Sequence, residues 1–127
     1  MTIGFAEYGT EGTYAHDNLI GGDFPRAVTR KETLNSGQNL TRGAVLGKIT
    51  TGGDLTLSLS ASGDGSETPF AILAADCDAS GGDTECLVYI AGNFNEAALT
   101  IGTGHTADSI REGLRGIGII IQPAVAV

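Results

Sequence analysis

The sequence predicts a small, mainly β domain with one short helix in its C-terminal half and an extended arm at its N-terminus. Its 127 residues match the length of a single domain that buries one modest core. Its 20 glycines are about twice the usual share, which favours many tight turns over long helices. Short apolar runs separated by Gly, Ser, Asn and Asp recur along most of the chain, as expected for a series of short strands.

The first 22 residues differ from the remainder and predict an arm. They contain five glycines and show no sustained period of two or of 3.6 residues, so neither a strand nor a helix is indicated. A flexible terminus is the default for the end of a domain, but disordered tails seldom carry isoleucine, phenylalanine and two tyrosines. We therefore expect residues 1–22 to become ordered on a partner and residues 23–127 to form the β domain.

From Asp23 onward, turn residues divide the chain into short predicted strands. The strict alternation of Leu with Thr or Ser after residue 54 predicts a strand with one wet and one dry face. Gly43 and Gly47, within an apolar run, predict a bulge or a close approach of the backbone. The expected strands are 27–34, 42–50, 55–60, 70–74, 86–92 and 117–122, the last one stopped by Pro123.

One segment has the pattern of a helix. Thr106 is in position to be its N-cap, and Gly116 lies just past its expected end as the C′ residue. Ile110 and Leu114 are four residues apart and therefore on one face, as in a helix that packs on a sheet. Gly113 in the interior costs about 1 kcal/mol relative to alanine, so this helix depends on packing for its stability.

The chain is acidic, and its charge is unevenly distributed. The net charge is −8, and no Lys or Arg occurs between Lys48 and Arg111, a stretch that contains nine acidic residues. A surface of this sign repels phosphate backbones, so we expect no nucleic-acid partner. No apolar run reaches the about 18 residues of a membrane span, and the N-terminus lacks the basic and apolar regions of a secretory signal. We expect a protein made in the cytosol, with no membrane partner.

Cys77 and Cys86 flank an acidic, glycine-containing turn and are placed to face each other across a hairpin. Because no secretory signal is recognised, reduced thiols that pack in the core are the favoured interpretation. The alternative is a cross-strand disulfide that forms after release from a cell. Such a bond would close a short loop and stabilise the fold by at most about 2 to 3 kcal/mol.

The acidic turn also resembles the start of a calcium-binding loop. Asp76, Asp78, Ser80 and Gly81 match the opening pattern D-x-D-x-S-G. Such a loop needs a bidentate glutamate at its twelfth position, which is Leu87 here, and it needs helices rather than strands on both sides. We therefore expect a solvated hairpin loop and no metal.

Gly102, Gly104 and His105 resemble the start of a phosphate-binding loop before a helix. The third glycine position is Ala107 and no P-loop lysine follows, so we expect these glycines only to make the turn into the helix. His16 and His105 lie at no zinc-ligand spacing. We expect both histidines on the surface.

No constellation of residues predicts an enzyme. The G-x-S-x-G elbow of serine hydrolases is absent, and the candidate serines lie in predicted turns or at the helix cap. These serines are Ser36, Ser62, Ser66, Ser80 and Ser109. A triad assembled only in space would leave no trace in the sequence. On the residues present, we expect no catalysis, no cofactor and no metal.

Two segments carry a resemblance to a known family. Residues 36–49, SGQNLTRGAVLGKI, and residues 92–99, GNFNEAAL, resemble signatures of the head decoration proteins of tailed bacteriophages, the lambda-type capsid-stabilising family. The similarity extends in the family's order from about Gly22 to the C-terminus. Residues 55–60 depart from the family's pattern.

The resemblance implies a β-clip or β-tulip fold, in which a small bent β-ribbon carries a short helix. It implies a homotrimer on the outside of the expanded phage head, at three-fold and quasi-three-fold positions, which stabilises the shell against the pressure of packaged DNA. The implied partners are the major capsid protein and further copies of the chain. The implied location is the outer capsid surface of the virion, reached from the host cytoplasm during assembly.

We expect the arm to add a strand to an edge of the major capsid protein, with alternate side chains setting the register. The expected arm contacts are Thr2, Ile3, Phe5, Tyr8 and Tyr14. Further residues are expected at the trimer interface or in the scaffold beneath it, namely Gly43, Val45, Leu46, Gly47, Phe94, Asn95 and Pro123.

The alternative function is a module on the virion surface that binds a host glycan or receptor. Such a module would need exposed aromatic side chains outside the arm. The residues available for this role are Phe24, Phe70, Tyr89 and Phe94.

Overall fold

The computed structural model describes residues 19–22 and 24–123. These residues form nine strands, one 3-10 turn and one α-helix. In chain order they are β1 (Ile20–Gly22), β2 (Val28–Leu34), β3 (Asn39–Leu40), β4 (Val45–Lys48), β5 (Leu55–Leu57), β6 (Pro69–Leu73), β7 (Cys77–Asp78), β8 (Thr84–Asn95), the 3-10 turn (Glu96–Ala98), α1 (Ala107–Arg115) and β9 (Ile119–Gln122). The prediction of a mainly β domain with one short helix is confirmed.

Five of the strands close into a small barrel. In order round the ring, β2 lies between β8 and β5, β4 follows β5, and β6 lies between β4 and β8. The longest pairing joins β2 and β8, which are antiparallel along the whole of β2. The ring is closed by β6, where Ile72 lies opposite Tyr89 of β8. Each of the five strands thus has a neighbour on both sides, although β2 and β5 meet only at Leu34 and Leu55.

The long strand β8 belongs to two sheets. Its first part lines the barrel, whereas its last residues, 92–95, run beyond the ring. There β9 pairs with it in parallel, with Ile119 opposite Gly92, and β1 pairs antiparallel on the other edge, with Ile20 opposite Phe94. The result is a three-stranded extension, β9–β8–β1, which one continuous strand joins to the barrel.

Two apolar clusters share the strands of the barrel. The barrel cluster fills the ring, and the helix cluster lies between the outside of the ring, the extension and α1. The buried members of the barrel cluster are Leu34, Ala44, Leu46, Leu55, Ala71, Leu73, Ala79, Cys86 and Val88. Those of the helix cluster are Leu19, Val45, Ile72, Phe94, Ile110, Leu114, Ile119 and Ile121. The predicted inward face of the helix, Ile110 and Leu114, is thus confirmed.

Successive residues of one strand serve the two clusters in turn. Val45 belongs to the helix cluster and Leu46 to the barrel cluster, and the same holds for Ile72 and Leu73. Because side chains alternate between the faces of a strand, both faces of β4 and β6 are buried. This double burial explains why these strands appear in the sequence as unbroken apolar runs.

The helix begins as predicted and ends slightly differently. The Thr106 hydroxyl accepts a hydrogen bond from the N–H of Ser109 at 3.1 Å, and the Ser109 hydroxyl accepts one from the N–H of Thr106 at 2.8 Å. Gly116 has a helical φ of −65°, and the left-handed residue is Gly118, with a φ of 94°. No helix in the described part of the chain is long and apolar enough to span a membrane.

The strand predicted for residues 55–60 is shorter than expected, since β5 ends at Leu57. The predicted alternation is wrong after that point, because Ser58 is buried and Leu59 is exposed. The chain turns inward here: the N–H of Ser58 donates to the carbonyl of Val45 at 3.0 Å. This hydrogen bond to a distant strand buries Ser58 and leaves Leu59 exposed, which reverses the alternation that the sequence predicted.

Candidate functional site

The predicted arm is attached firmly to the domain at its root. Leu19 is 1% exposed, and its carbonyl accepts a hydrogen bond from the N–H of Asn95 at 2.8 Å. The last residues of the predicted arm, Ile20–Gly22, form β1 along the edge of β8. The expected capsid contacts lie outside the described residues and stay predictions: Thr2, Ile3, Phe5, Tyr8 and Tyr14. The boundary at residues 22 and 23 also stays a prediction.

Gly43 and Gly47 occupy positions where a side chain would collide with the backbone. Gly43 has a φ of 100°, and a Cβ there would lie 2.8 Å from the carbonyl oxygen of Ala98. A Cβ on Gly47 would overlap the carbonyl group of Ser66, next to a register shift between β4 and β6. The predicted close approach and bulge are therefore confirmed.

The other residues expected at a trimer interface or in the scaffold fall into two groups. Val45, Leu46 and Phe94 are at most 1% exposed, and Asn95 is also buried. Burial inside one chain keeps these side chains from contacting a second copy, so it favours the scaffold role for them. Pro123 is exposed at the end of β9, and its role stays a prediction.

Four exposed apolar side chains lie on segments that meet one short part of β8. We call this set the exposed apolar group: Ile20, Phe24, Val28 and Ile117. Scattered single apolar residues are normal on a protein surface, whereas a contiguous apolar patch marks an interaction surface. Phe24 is the extreme case, with 85% of its surface exposed.

The four residues of this group lie on segments that are hydrogen-bonded to residues 91–94 of β8. Val28 lies opposite Ala91, and Ile20 lies opposite Phe94. Ile117 directly precedes Gly118, and the carbonyl of Gly118 accepts a hydrogen bond from the N–H of Gly92 at 3.2 Å. The group therefore surrounds the start of the extension, beside the point where the arm enters the domain.

The side chain of Asn93 fixes the surface next to this group. Its amide nitrogen donates to the carbonyl of Phe24 at 3.1 Å, and its amide oxygen accepts from Nε2 of Gln122 at 2.9 Å. These bonds tie the segment before β2 and the end of β9 to the middle strand of the extension. The hydrogen bond from Asn93 therefore fixes the backbone of Phe24, while the ring of Phe24 stays exposed.

Among the described residues, most aromatic side chains are engaged within the domain. Phe94 is fully buried and packs against Tyr89, with the ring centroids 5.1 Å apart. The Tyr89 hydroxyl accepts a hydrogen bond from Arg42 at 2.9 Å. Phe70 lies beneath two basic side chains, whose charged ends are 4.7 and 5.7 Å from the ring centroid. Phe24 is the aromatic side chain of this part of the chain that is left for a ligand.

His105 is half-buried and bridges two loops, so the expectation of a surface histidine is wrong. Its Nε2 lies 3.0 Å from the carbonyl oxygen of Glu67 and 3.2 Å from Oγ of Ser58. A carbonyl oxygen only accepts, so Nε2 carries a proton and donates it. The Ser58 hydroxyl in turn donates to the carbonyl of Ser66 at 2.7 Å. The imidazole therefore does not act as a base toward Ser58, and the pair is a structural clamp.

The carboxylates of the acidic turn serve local hydrogen bonds. Oδ1 of Asp78 accepts from both the N–H and the hydroxyl of Ser80, and these bonds lower the pKa of that carboxyl below its usual value. Oδ1 of Asp76 accepts from the N–H of Arg42 at 2.8 Å. The described residues contain no group of three His, Cys, Asp or Glu side chains arranged to hold a metal ion.

Both cysteines are free thiols and lie next to each other in the barrel cluster. Burial, followed by the neighbouring thiol of Cys77, raises the pKa of Cys86 to about 11. The thiol of Cys77 is half-buried and donates toward the carbonyl of Glu85 at 3.9 Å. Both thiols thus pack at the barrel cluster, as the favoured interpretation expected, and their redox state stays a prediction.

The described residues thus form a small barrel with a three-stranded extension, and exposed apolar side chains lie on the segments bonded to the extension. Comparison with protein-family models gives a match to the bacteriophage lambda head decoration protein D family over residues 8–120. The chain therefore belongs to that family, whose members are located on the phage capsid. A search of curated proteins gave no match.

Proposed function

We propose that this protein is a capsid cement, which binds the outside of the expanded phage head as homotrimers at three-fold positions and stabilises it against packaged DNA. Its partner is the major capsid protein, to which the N-terminal arm adds a strand. The observation that carries the proposal, beside the family match, is the exposed apolar group at the root of the arm.

The position of this group favours the capsid protein as its occupant. Eighteen residues precede Leu19 in the sequence, and the first described strand, β1, lies along β8 and contains Ile20. A strand that the arm adds to the capsid protein brings that protein to the same side of the domain. Burial of an apolar surface there contributes roughly 25 cal/mol per Å², in addition to the main-chain hydrogen bonds of the added strand.

In a trimer, each arm can bind the capsid weakly and the whole particle still binds tightly. Three arms on one particle raise the effective concentration of each arm once the first has bound. A protein that binds the expanded shell and not its precursor stabilises the expanded state by mass action. The net charge of −8 keeps free trimers soluble and away from nucleic acid, including the packaged genome.

The proposed role is structural, with no catalytic step. The closest approach to a catalytic pair is Ser58 with His105, and their hydrogen bonds run in the wrong direction for a nucleophile and its base. The clamp holds the loop that carries Glu67 against the turn before α1. This role accounts for the pair without a substrate.

The decisive experiment measures binding to expanded, undecorated capsids and the temperature at which those capsids rupture. We compare the full-length protein, a protein lacking residues 1–18, and the variant Phe24→Ser. The truncation stops before Leu19 because that side chain is buried. Leu87→Ser is the matched control, since Leu87 is exposed but lies on the barrel part of β8.

The full-length protein and Leu87→Ser are expected to bind and to raise the rupture temperature. Truncation should abolish binding, and Phe24→Ser should weaken it about tenfold or more, in the range of an interface hot spot. Full binding by the truncated protein would overturn the role of the arm. No binding by any of the four would overturn the cement function and favour the alternative, a module that binds a host glycan or receptor.

A further inference from the structure

We infer that Cys77 and Cys86 form an oxidative latch, an intramolecular disulfide that closes in an oxidising medium and fixes the β3–β7 ribbon to the barrel wall. Formation of this disulfide depends only on the present chain. Its expected effect on a capsid, a higher rupture temperature, rests on the proposed function.

The geometry brings the two sulfur atoms together from separate strands. Cys77 lies on β7, opposite Leu40 of β3, whereas Cys86 lies on β8 and is 6% exposed. The Sγ of Cys77 points to the carbonyl of Glu85, the residue adjacent to Cys86. Cys77 packs against the apolar cluster that contains Cys86, and the Cys77 thiol is one of the groups that raise the pKa of Cys86.

The latch would add a covalent bond to a ribbon that hydrogen bonds and the buried side chain of Ala79 hold against the barrel. The β3–β7 ribbon is a sheet of its own, with two residue pairs and main-chain bonds from Ala79 at its end. Two-stranded ribbons are marginal in isolation. The hydroxyl of Thr84 on β8 reaches the carbonyl of Asp78 only at 3.5 Å. Opening of the ribbon would uncover Leu40 and the end of the barrel cluster.

A low-molecular-weight disulfide, such as oxidised glutathione, is the oxidant. The half-buried Cys77 reacts first: its thiolate attacks one glutathione sulfur, forms a mixed disulfide and releases one glutathione thiolate. Cys86 then loses its proton to solvent, and its thiolate attacks the sulfur of Cys77, which releases the second glutathione. Two protein thiols are oxidised and one glutathione disulfide is reduced to two thiols, so the electrons balance.

Burial of Cys86 makes the second step the slow one. Burial, the largest cause of the raised pKa of Cys86, persists in the mixed disulfide, and the carboxylates of Glu32 and Glu85 act in the same direction, so little thiolate forms at neutral pH. The fraction of thiolate rises about tenfold with each pH unit below the pKa, so the rate of closure should rise by the same factor per unit between pH 7 and 9. The mixed disulfide on Cys77 should accumulate at pH 7 and disappear faster at pH 9.

The test incubates the full-length protein with oxidised glutathione and follows it by intact mass after acid quenching. We expect a transient glutathione adduct and then a product lighter than the reduced protein by two hydrogen atoms, with no thiol left for a maleimide after denaturation. At fixed protein concentration, the unfolding temperature of this product should exceed that of the reduced protein by on the order of 10 °C.

Two variants separate the steps. Cys86→Ala should stop at the glutathione adduct on Cys77, and Cys77→Ser should give no intramolecular product and no rise in unfolding temperature. A stable adduct in the natural chain, disulfide-linked dimers, or a disulfide without a rise in unfolding temperature would each overturn the latch.

The capsid experiment is kept apart from the thiol experiment. Reduced protein bound to expanded capsids tests the proposed function, because the latch is open there. Oxidised protein should raise the rupture temperature of capsids above the value for reduced protein. Equal rupture temperatures, with the disulfide formed and both forms bound, would overturn the benefit of the latch to the capsid and leave the proposed function intact.

Discussion

The barrel cluster and the helix cluster are built on the same strands but are enclosed in different ways. Strands joined by main-chain hydrogen bonds surround the barrel cluster completely. The helix cluster is covered on one side by α1, nine residues long, which is held by the apolar side chains of Ile110 and Leu114 and by an ion pair from Arg111 to Glu96 at 2.6 Å. We therefore expect the helix cluster to open locally at lower free energy than the barrel cluster, since α1 has fewer main-chain ties to the sheet than the strands have to one another.

The largest expected effect comes from truncating one leucine in each cluster. Leu46→Ala and Leu114→Ala each remove a fully buried side chain, and each should lower the free energy of unfolding by about 2–5 kcal/mol in urea denaturation. Their hydrogen-exchange patterns should differ. Leu46→Ala should speed exchange throughout the domain, and Leu114→Ala should speed it mainly in α1 and β9.

Leu87→Ala serves as the control for these variants, since Leu87 is exposed and its truncation should change stability by less than about 0.5 kcal/mol. Uniform loss of protection in Leu114→Ala would mean that the two clusters open together. The distinction between them would then be wrong.

A smaller effect is expected at the start of α1, where only local hydrogen bonds are changed. Thr106→Ala removes the acceptor for the N–H of Ser109 and should cost about 1 kcal/mol. Thr106→Ser keeps a hydroxyl at this position and should restore most of the loss. Thermal unfolding of the three proteins measures the difference, and equal unfolding temperatures would show that the cap contributes nothing.

The smallest expected effect is a gain in stability. Gly113 lies in the interior of α1, and a Cβ there would meet nothing within 4 Å, so Gly113→Ala should stabilise the domain by roughly 0.5–1 kcal/mol. Gly118→Ala is the matched opposite case, because the φ of 94° at that position strains any residue with a side chain. Urea denaturation should move the two midpoints in opposite directions, and a shift of both in one direction would contradict the argument.

Local features of the fold were predictable from the sequence because their causes are local. The Thr106 cap and the Ile110–Leu114 face depend on residues within one turn of each other. Gly43 and Gly47 were predictable because a glycine within an apolar run indicates a backbone position that has no room for a side chain. The burial of Ser58 and the full length of β8 were not predictable, since both depend on partners far away in the chain.

The candidate surface was missed for the same physical reason. Ile117 lies about ninety positions after Ile20, Phe24 and Val28, and the segments that carry these residues are brought to one part of β8 by the fold. Ile20, Phe24 and Val28 are four residues apart in the chain, but Gly21, Gly22 and Pro25 between them argue against a helix. The one available signal was Phe24 itself, a large aromatic residue between Asp and Pro.

The position of Asn95 has a consequence for the connectivity of the chain. Its N–H donates to the carbonyl of Leu19 on one edge of β8, and it lies opposite Gln122 on the other edge. Two strand spacings, about 10 Å, therefore separate the beginning of the domain from its end. The first and last strands of the described domain thus lie close together, one on each edge of β8. A linker of a few residues would be long enough to join Leu19 to Gln122, and a circularly permuted domain that opens elsewhere should keep the same core.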